Sequence, residues 1–307
     1  MISTERDTMN TPHRVILDTD IGSDVDDLMA LVLLLGTPSV ELVGVTTVYG
    51  DTALRARLAH RVLGMAGAGV PVHAGVREPL SGREVWWAGH EGALYPDLEA
   101  ETYDSDEAVR YLVDTVLAAP GEIDVIAIGP LTNIAAALTA EPRFAESVRH
   151  LWVMGGDFAD GTPEHNLRSD AVAARIVFDS GMPITITGLE VTRRIDIRAE
   201  QLERIAQAGE LGELIRAEIE QWWAFWDETW NVPHDPVTVL TLVAPDLFEV
   251  TAPGHVEIGD GEREGCSTHS PGEGRTRVVT TLDVDAVGER IVAGIVDATD
   301  ARPSEGE

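Results

Sequence analysis

Five aspartates lie within the segment VILDTDIGSDVDD at residues 15–27: Asp18, Asp20, Asp24, Asp26 and Asp27. Carboxylates a few ångströms apart repel each other by roughly 1 kcal/mol or more per pair, depending on the local dielectric. A helix N-terminus offsets part of this repulsion, and a bound divalent cation offsets far more. The segment therefore predicts a metal site, with an over-charged helix N-terminus as the alternative interpretation.

A second set of functional groups lies far along the chain, in His234-Asp235-Pro236 at the predicted start of a helix. Together with Asp20 and Asp27, Asp235 could complete a cage of oxygen ligands around one hard cation. For His234, the alternative is an imidazole that caps the helix or faces solvent. The sequence predicts that two distant loops meet at one metal site.

The elements that must position these residues follow an alternating pattern from residue 15 to about residue 195. Apolar, β-rich runs lie at 15–21, 41–48, 123–129, 149–155 and 183–191. Segments with helical periodicity lie between them, at 52–66, 106–118, 132–140 and 171–180. This alternation predicts an α/β fold, an open, mostly parallel, Rossmann-like sheet flanked by helices. Ligands of such sheets bind beyond the carboxyl ends of the strands, where the polar segments of this chain lie.

The C-terminal part has a different pattern. Residues 199–230 favour helices, and 248–283 favour a β-hairpin whose arms are joined by the Gly-rich acidic loop 259–275. A last helix is predicted at 284–297. We expect one domain over 13–299, with disordered tails at 1–12 and 300–307.

Composition excludes several classes of function. The 307 residues carry 22 basic and 53 acidic side chains, a net charge of −31, which disfavours nucleic-acid binding. Neither a membrane span nor a secretory signal is evident, so we expect a cytoplasmic protein without membrane partners. Cys266 is the only cysteine, which excludes an intrachain disulfide. The chain contains no lysine, which excludes Schiff-base chemistry and a Walker A site.

Seven motifs, in this order, resemble those of the nucleoside hydrolases of the inosine–uridine-preferring type. They cover roughly residues 14–245 and are DTDIGSDVDD, VTTVYGD (45–51), GPLTNIA (129–135), MGGDF (154–158), EHN (164–166), GLEVT (188–192) and HDP (234–236). The resemblance implies calcium-dependent hydrolysis of the N-glycosidic bond of ribonucleosides to ribose and free base. It also implies a nucleoside substrate and a homodimer or homotetramer.

The resemblance assigns roles to individual residues. Asp20 matches a calcium ligand that also acts as general base, and Asp27, Asp235 and the backbone carbonyl of Thr132 match the other ligands. Asp18 matches a supporting aspartate, and His234 matches the histidine that helps to protonate the base. Matches to substrate contacts are Asp26 and Asn166 at the ribose hydroxyls, Glu164 near the 5′-hydroxyl, and Asp51 in place of a sugar-side asparagine. Ile21 replaces the usual proline, and the longer turn here leaves the role of Asp24 open.

Aromatic residues follow two patterns. Trp222, Trp226 and Trp230 share one face of a predicted helix, where they either stack on the nucleobase or pack on the core or a neighbouring subunit. Trp86 and Trp87 precede a Gly-containing segment predicted to form a mobile loop over the pocket. We therefore include Trp226, Trp87 and His90 among the predicted base or sugar contacts.

Other functions fit the pattern less well. Aspartyl-phosphate phosphatases also place an Asp-x-Asp pair after the first strand, but they use a lysine that this chain lacks. A nicotinamide-dinucleotide enzyme requires a glycine-rich turn where this chain has aspartates. The remaining alternative is a non-catalytic calcium-binding protein with the same fold. The sequence leaves purine or pyrimidine preference open.

Overall fold

The computed structural model describes residues 11–300, so most of both predicted tails, 1–12 and 300–307, lies outside the described residues. The strands are β1 His13–Thr19, β2 Val40–Thr47, β3 Val72–Ala74, β4 Ile123–Ala127, β5 His150–Met154, β6 Ile184–Thr187, β7 Phe248–Val250, β8 Gly254–Ile258, β9 Ser267–Pro271 and β10 Thr276–Leu282. The α-helices are α1 Asp26–Leu35, α2 Thr52–Met65, α3 Ala108–Ala118, α4 Thr132–Ala140, α5 Phe144–Ser147, α6 His165–Ser169, α7 Ala171–Phe178, α8 Leu189–Thr192, α9 Ala199–Ala206, α10 Glu210–Trp226, α11 His234–Val243 and α12 Val284–Asp300.

The strands form one mixed sheet with the order β3-β2-β1-β4-β5-β6-β10-β8-β9, and β7 pairs with β10. Strands β1 to β6 run parallel to their neighbours. Strand β10 is parallel to β6 but antiparallel to β7 and β8, and β8 and β9 pair antiparallel. The predicted fold class is confirmed. The order reverses between β1 and β4, and this switch point is where open α/β sheets bind ligands.

Both faces of the sheet are covered by apolar side chains. In β1, Val15 and Leu17 belong to the core on one face, and Ile16 belongs to the core on the other face. A parallel strand that is buried on both faces has a continuous apolar sequence, as the VIL run at 15–17 shows. Packing on both sides fixes the position of the loop that follows β1.

The arrangement of strands in the C-terminal part differs from the sequence prediction. The hairpin pairs β8 with β9, so its second arm lies in the segment that we predicted as a loop, 259–275. Strand β10, the predicted second arm, instead extends the parallel sheet beside β6. The arm STHSP lacks a β-branched run, and β3 is only three residues long, so neither strand has a clear pattern.

Within residues 11–300, no helix combines the length and the apolar character needed to cross a bilayer. The prediction of one domain over 13–299 stays a prediction.

Candidate active site

A cavity of about 460 Å³ opens at the carboxyl ends of the strands, beside the switch point. The turn after β1 contributes Asp20 to one wall, and the residue after β4, Ile128, contributes to the next. Glu164 and Asn166 at the start of α6 line the cavity together with His234 and Asp235 at the start of α11. The predicted loops therefore meet at one cavity.

Four buried aspartates form what we call the carboxylate cluster: Asp20, Asp26, Asp27 and Asp235. Oxygen atoms of Asp26, Asp27 and Asp235 lie within 4.8 Å of one another, close enough to bind one ion. Helices α1 and α11 both begin at this cluster, and the Asp235 amide donates to Asp26 Oδ2 at 3.4 Å. Two helix N-termini thus favour negative charge here, but they offset only part of the repulsion.

Burial raises the pKa of Asp26, Asp27 and Asp235 well above the ordinary aspartate value, and the neighbouring carboxylates raise it further. Burial also raises the pKa of Asp20, and the positive charge of Arg55 acts in the opposite direction. The described cluster is therefore short of positive charge. Because all its ligand atoms are carboxylate oxygens, it fits a hard divalent cation.

Arg55, whose side chain is fully buried, holds the turn that carries Asp20. Its guanidinium donates to the main-chain carbonyl of Asp20 and, at 2.8 Å, to that of Ile21. The Thr19 hydroxyl donates to Asp27 and accepts from the Ile21 amide at 3.1 Å. Hydrogen bonds of the Arg55 and Thr19 side chains therefore fix the turn.

A glycine makes room for the Asp20 carboxylate. A Cβ atom at Gly129, just after β4, would lie 2.6 Å from Asp20 Oδ1, so a larger residue would displace this carboxylate. Behind it, Asp18 Oδ1 accepts from the Thr46 hydroxyl at 2.6 Å and from Asn133 Nδ2 at 2.7 Å. Burial raises the pKa of Asp18 to about 7. Asp18 thus supports the site from inside the sheet and does not line the cavity.

Glu164 and Asn166 are buried on the opposite wall. The Glu164 carboxylate caps α6 by accepting from the Asn166 amide at 2.9 Å and the Leu167 amide at 3.0 Å. Asn166 Nδ2 donates to the Ile128 carbonyl at 2.8 Å. These bonds orient two polar side chains toward the same cavity as the carboxylate cluster.

His234 lines the cavity at the start of α11. Its Nδ1 lies 2.7 Å from the Thr192 hydroxyl, which fixes the plane of the ring. Burial, and to a lesser degree the charge of Arg193, lowers the pKa of His234 to about 3. The imidazole is therefore neutral at neutral pH.

Aromatic rings surround the cavity mouth, and we call this set the aromatic rim: Trp86, His90, Trp222, Phe225 and Trp226. The ring centroids of His90 and Phe225 lie 5.2 Å apart, and those of Trp86 and Phe225 lie 6.4 Å apart. These contacts join the loop after β3 to the end of α10. Trp86, Trp222 and Trp226 line the cavity. The contact of Trp226 with the base stays a prediction.

Four other predicted site residues lie outside the cavity lining. Trp87 covers the Arg55 guanidinium at 4.8 Å, and His90 Nε2 lies 2.9 Å from the Ser23 carbonyl. Asp51 caps α2, and the Thr132 hydroxyl donates to Asp170 at 2.8 Å.

Conversely, Trp86, Ile128 and Arg193 line the cavity although we did not predict them as site residues. Ile128 gave no signal in its side-chain type, because an apolar residue at the end of a buried strand is typical of the core. Trp86 did carry a signal, since it adjoins Trp87 in the predicted loop.

Known proteins share this fold. The plant nucleoside hydrolase PpNRh1 is 28% identical, with a TM-score of 0.82 over 93% of this chain and 99% of that one. A purine-preferring ribonucleoside hydrolase from Gardnerella vaginalis, 24% identical, has a TM-score of 0.85 over 94% of this chain and all of its own, which shows the shared fold.

Sequence comparison gives the family. The probable uridine nucleosidase 2 of Oryza sativa subsp. japonica is 34% identical over 258 residues, covering 78% of this chain and 76% of the relative. A family model described as inosine-uridine preferring nucleoside hydrolase matches residues 15–289, a range that holds the carboxylate cluster and the aromatic rim. The chain therefore belongs to the inosine–uridine-preferring nucleoside hydrolases and is an N-glycosyl hydrolase.

Proposed function

We propose that this protein hydrolyses the N-glycosidic bond of ribonucleosides to ribose and free base in a calcium-dependent reaction. The convergence of Asp26, Asp27 and Asp235 within 4.8 Å, on a cavity that Glu164 and Asn166 also line, is the observation that supports it most. Carboxylates on one side and polar sugar-binding groups on the other are the arrangement that a ribose requires.

Asp20, Asp27 and Asp235 are the proposed side-chain ligands of the cation. We predicted the backbone carbonyl of Thr132 as a further ligand, but Ile128 lines the cavity and Thr132 does not, so we propose the Ile128 carbonyl instead. Calcium suits such a set because it accepts six to eight oxygen ligands in flexible geometry. When bound, calcium would orient hydroxyl groups and lower the pKa of a bound water.

The remaining residues act on the ribose and the attacking water. Asp20 acts as general base and removes the proton of the water. Asp26 and Asn166 accept or donate hydrogen bonds at the ribose 2′- and 3′-hydroxyls, and Glu164 lies near the 5′-hydroxyl. Breaking the bond gives the ribose oxocarbenium character, and the buried negative charge around it stabilises that transition state.

The departing base is bound at the other end of the cavity. His234, held by Thr192, offers a hydrogen bond to the base, and Trp222 and Trp226 offer rings on which the base stacks. Loss of the base is easiest where its developing negative charge is stabilised by donors.

A reducing-sugar assay with inosine, adenosine, guanosine, uridine and cytidine tests this proposal, with EDTA and with added calcium. We expect wild-type protein to release ribose from at least one nucleoside, and EDTA to abolish the release reversibly. Asp20→Asn should lose about 10³-fold or more in kcat, the order that removal of a catalytic base costs. The matched control is Asp179→Asn, whose side chain is 69% exposed and faces His255.

The alternative function is a non-catalytic calcium-binding protein with the same fold. Tight calcium binding without ribose release from any nucleoside of the panel would support this alternative and contradict our proposal.

We also propose that the protein forms a homodimer or homotetramer, as the family resemblance implies. Its composition and sequence pattern support the further proposal that it works in the cytoplasm, without nucleic-acid or membrane partners. Light scattering of the purified protein tests the oligomer, and a monomeric mass would contradict it.

A further inference from the structure

A second cavity of about 540 Å³ adjoins the first on the side of His234. The two share part of their lining, namely Asp24, Arg193, Trp222, Trp226 and His234. The proposed sugar contacts Asp26, Glu164 and Asn166 line only the first cavity. If the ribose binds at these contacts, as the proposed function requires, the space shared by both cavities is left for the base.

Arg193 stands at this junction without a partner for its guanidinium among the residues that the structure describes. Its side chain is exposed. Two arginines close to it in the sequence, Arg194 and Arg198, do have partners. Arg194 donates to the Thr281 hydroxyl at 2.7 Å, and Arg198 pairs with Asp196 at 2.6 Å. In a chain with 53 acidic residues, an unpaired arginine on a cavity wall requires an explanation.

Two carboxylates whose pKa values are affected by the Arg193 charge already accept hydrogen bonds from other groups. The Arg193 charge acts on Glu190 and Asp157, yet Glu190 accepts from the Phe158 amide at 3.1 Å. Asp157 accepts from the Thr162 hydroxyl at 2.6 Å and from the Asp160 amide at 2.9 Å. The guanidinium is therefore held beside acidic groups without being neutralised by an ion pair.

The position of Arg193 associates it with the departing base. It follows Thr192, whose hydroxyl lies 2.7 Å from His234 Nδ1, and its charge acts on His234. The buried arginine, Arg55, instead acts on Asp20 and Asp27. Two arginines thus lie at the two ends of the site, Arg55 at the carboxylate cluster and Arg193 on the side of His234.

We propose that Arg193 is a specificity-determining residue that binds the keto edge of the nucleobase. This inference rests on the proposed function. A guanidinium has five donors and no acceptor, so it pairs with the O4 carbonyl of uracil and the O6 carbonyl of hypoxanthine. It opposes the amino groups of cytosine and adenine, which present donors at the same edge.

The same contact assists the reaction. The electron pair of the bond between C1′ and the base nitrogen leaves with the base, and part of its charge reaches the keto oxygen. Water supplies the hydroxyl that bonds to C1′ and the proton that the base finally takes up. A charge-assisted hydrogen bond from Arg193 strengthens as that oxygen becomes negative, so it contributes more in the transition state than in the ground state.

The test compares kcat/KM for uridine, cytidine, inosine and adenosine in wild type, Arg193→Gln and the matched control Arg194→Gln. Glutamine is uncharged and provides both a donor and an acceptor. The substitution therefore removes both the charge and the preference for keto over amino groups. We expect Arg193→Gln to lose roughly 10- to 100-fold on uridine and inosine, the range for one charge-assisted hydrogen bond. The uridine/cytidine and inosine/adenosine ratios should fall accordingly, and Arg194→Gln should keep the wild-type values.

Two further substrates separate the possible failures. 4-Nitrophenyl riboside, whose leaving group presents no keto edge and needs no proton, should be cleaved by Arg193→Gln at the wild-type rate. Equal losses on all five substrates would overturn the inference, because they would indicate a general structural role. Uridine 5′-monophosphate tests a phosphate contact, and a loss confined to this nucleotide would also overturn it.

Failure of the proposed function can be distinguished from failure of the role of Arg193. If wild-type protein cleaves none of the nucleosides, both proposals fail. If wild type is active and the base ratios of Arg193→Gln are unchanged, only the role of Arg193 is wrong.

Discussion

The two ends of the cavity differ in how their side chains are held. Members of the carboxylate cluster are between 3% and 8% exposed. The Asp235 amide donates to Asp26, the Thr19 hydroxyl donates to Asp27, and Arg55 holds the main-chain carbonyl of Asp20. In the aromatic rim, Trp226 is 52% exposed and Phe225 is 42% exposed, and ring contacts hold them. The fold therefore fixes the positions of the cluster side chains, whereas contacts among the rim side chains themselves mainly fix their positions.

This difference separates the reaction from the choice of substrate. Groups that act on the ribose must keep their geometry within fractions of an ångström, which buried and hydrogen-bonded positions provide. Groups that bury apolar surface of the base tolerate small displacements, because the hydrophobic contribution to their contact is non-directional. We therefore expect substitutions in the cluster to affect every substrate alike and substitutions in the rim to affect substrates unequally.

The largest effect is expected for Asp235→Asn. Loss of one ligand and one charge should reduce kcat/KM by about 10³-fold or more for all nucleosides, as removal of an essential charged group does. Calcium at 100 times its dissociation constant should stabilise the wild type by about 2.7 kcal/mol and the variant by far less. Calorimetry with and without calcium measures this difference.

Without calcium, Asp235→Asn should unfold at a slightly higher temperature than the wild type, because it removes carboxylate repulsion of roughly 1 kcal/mol per pair. An equal calcium-induced shift in both proteins would contradict the assignment of Asp235 as a ligand.

The second effect is expected for Arg55→Gln. This change leaves buried carbonyls of Asp20, Ile21 and Tyr49 without their charged donor, and we expect about 3 kcal/mol or more of lost unfolding free energy. Urea denaturation measures this loss. The matched control is Arg216→Gln, whose surface pair with Glu213 should contribute less than about 1 kcal/mol. A similar, small loss in both variants would show that the turn after β1 is not held in this way.

The smallest effect is expected for Trp226→Ala. Because half of this side chain is exposed, the unfolding free energy should change by less than about 1 kcal/mol. We expect about a 10-fold loss of kcat/KM for purine nucleosides, which offer the larger stacking surface, and a smaller loss for pyrimidine nucleosides. Steady-state kinetics with inosine and uridine measure this ratio, and an equal loss on both would remove the distinction between the two ends.

The sequence predicted the part of the molecule that depends on strong local patterns. The apolar runs at 15–21 and 123–129 and the helix at 132–140 correspond to β1, β4 and α4. The aspartates of the first turn stand out by residue type alone, and they meet Asp235 in the structure.

Other parts could not be predicted because they depend on tertiary contacts. The Ile128 carbonyl accepts from Asn166, and any residue at this position would provide that carbonyl. Within residues 11–300 Arg193 has no side-chain partner because Asp157 and Glu190 are engaged elsewhere, and sequence spacing does not reveal this. Strand β9 forms because β8 offers it an edge, not because STHSP favours a strand.

The aromatic rim comes from only two continuous pieces of chain, the loop that carries Trp86 and His90 and the last turns of α10 with Trp222 to Trp226. The carboxylate cluster also comes from two pieces, but its side chains are buried, whereas Trp86, Phe225 and Trp226 of the rim are exposed. A segment exchange between relatives that replaces a piece of the rim therefore changes mainly exposed ring contacts, whereas one that replaces a piece of the cluster disturbs the core. In evolutionary terms, the molecule can vary its stacking surface by recombination without having to evolve its chemistry again.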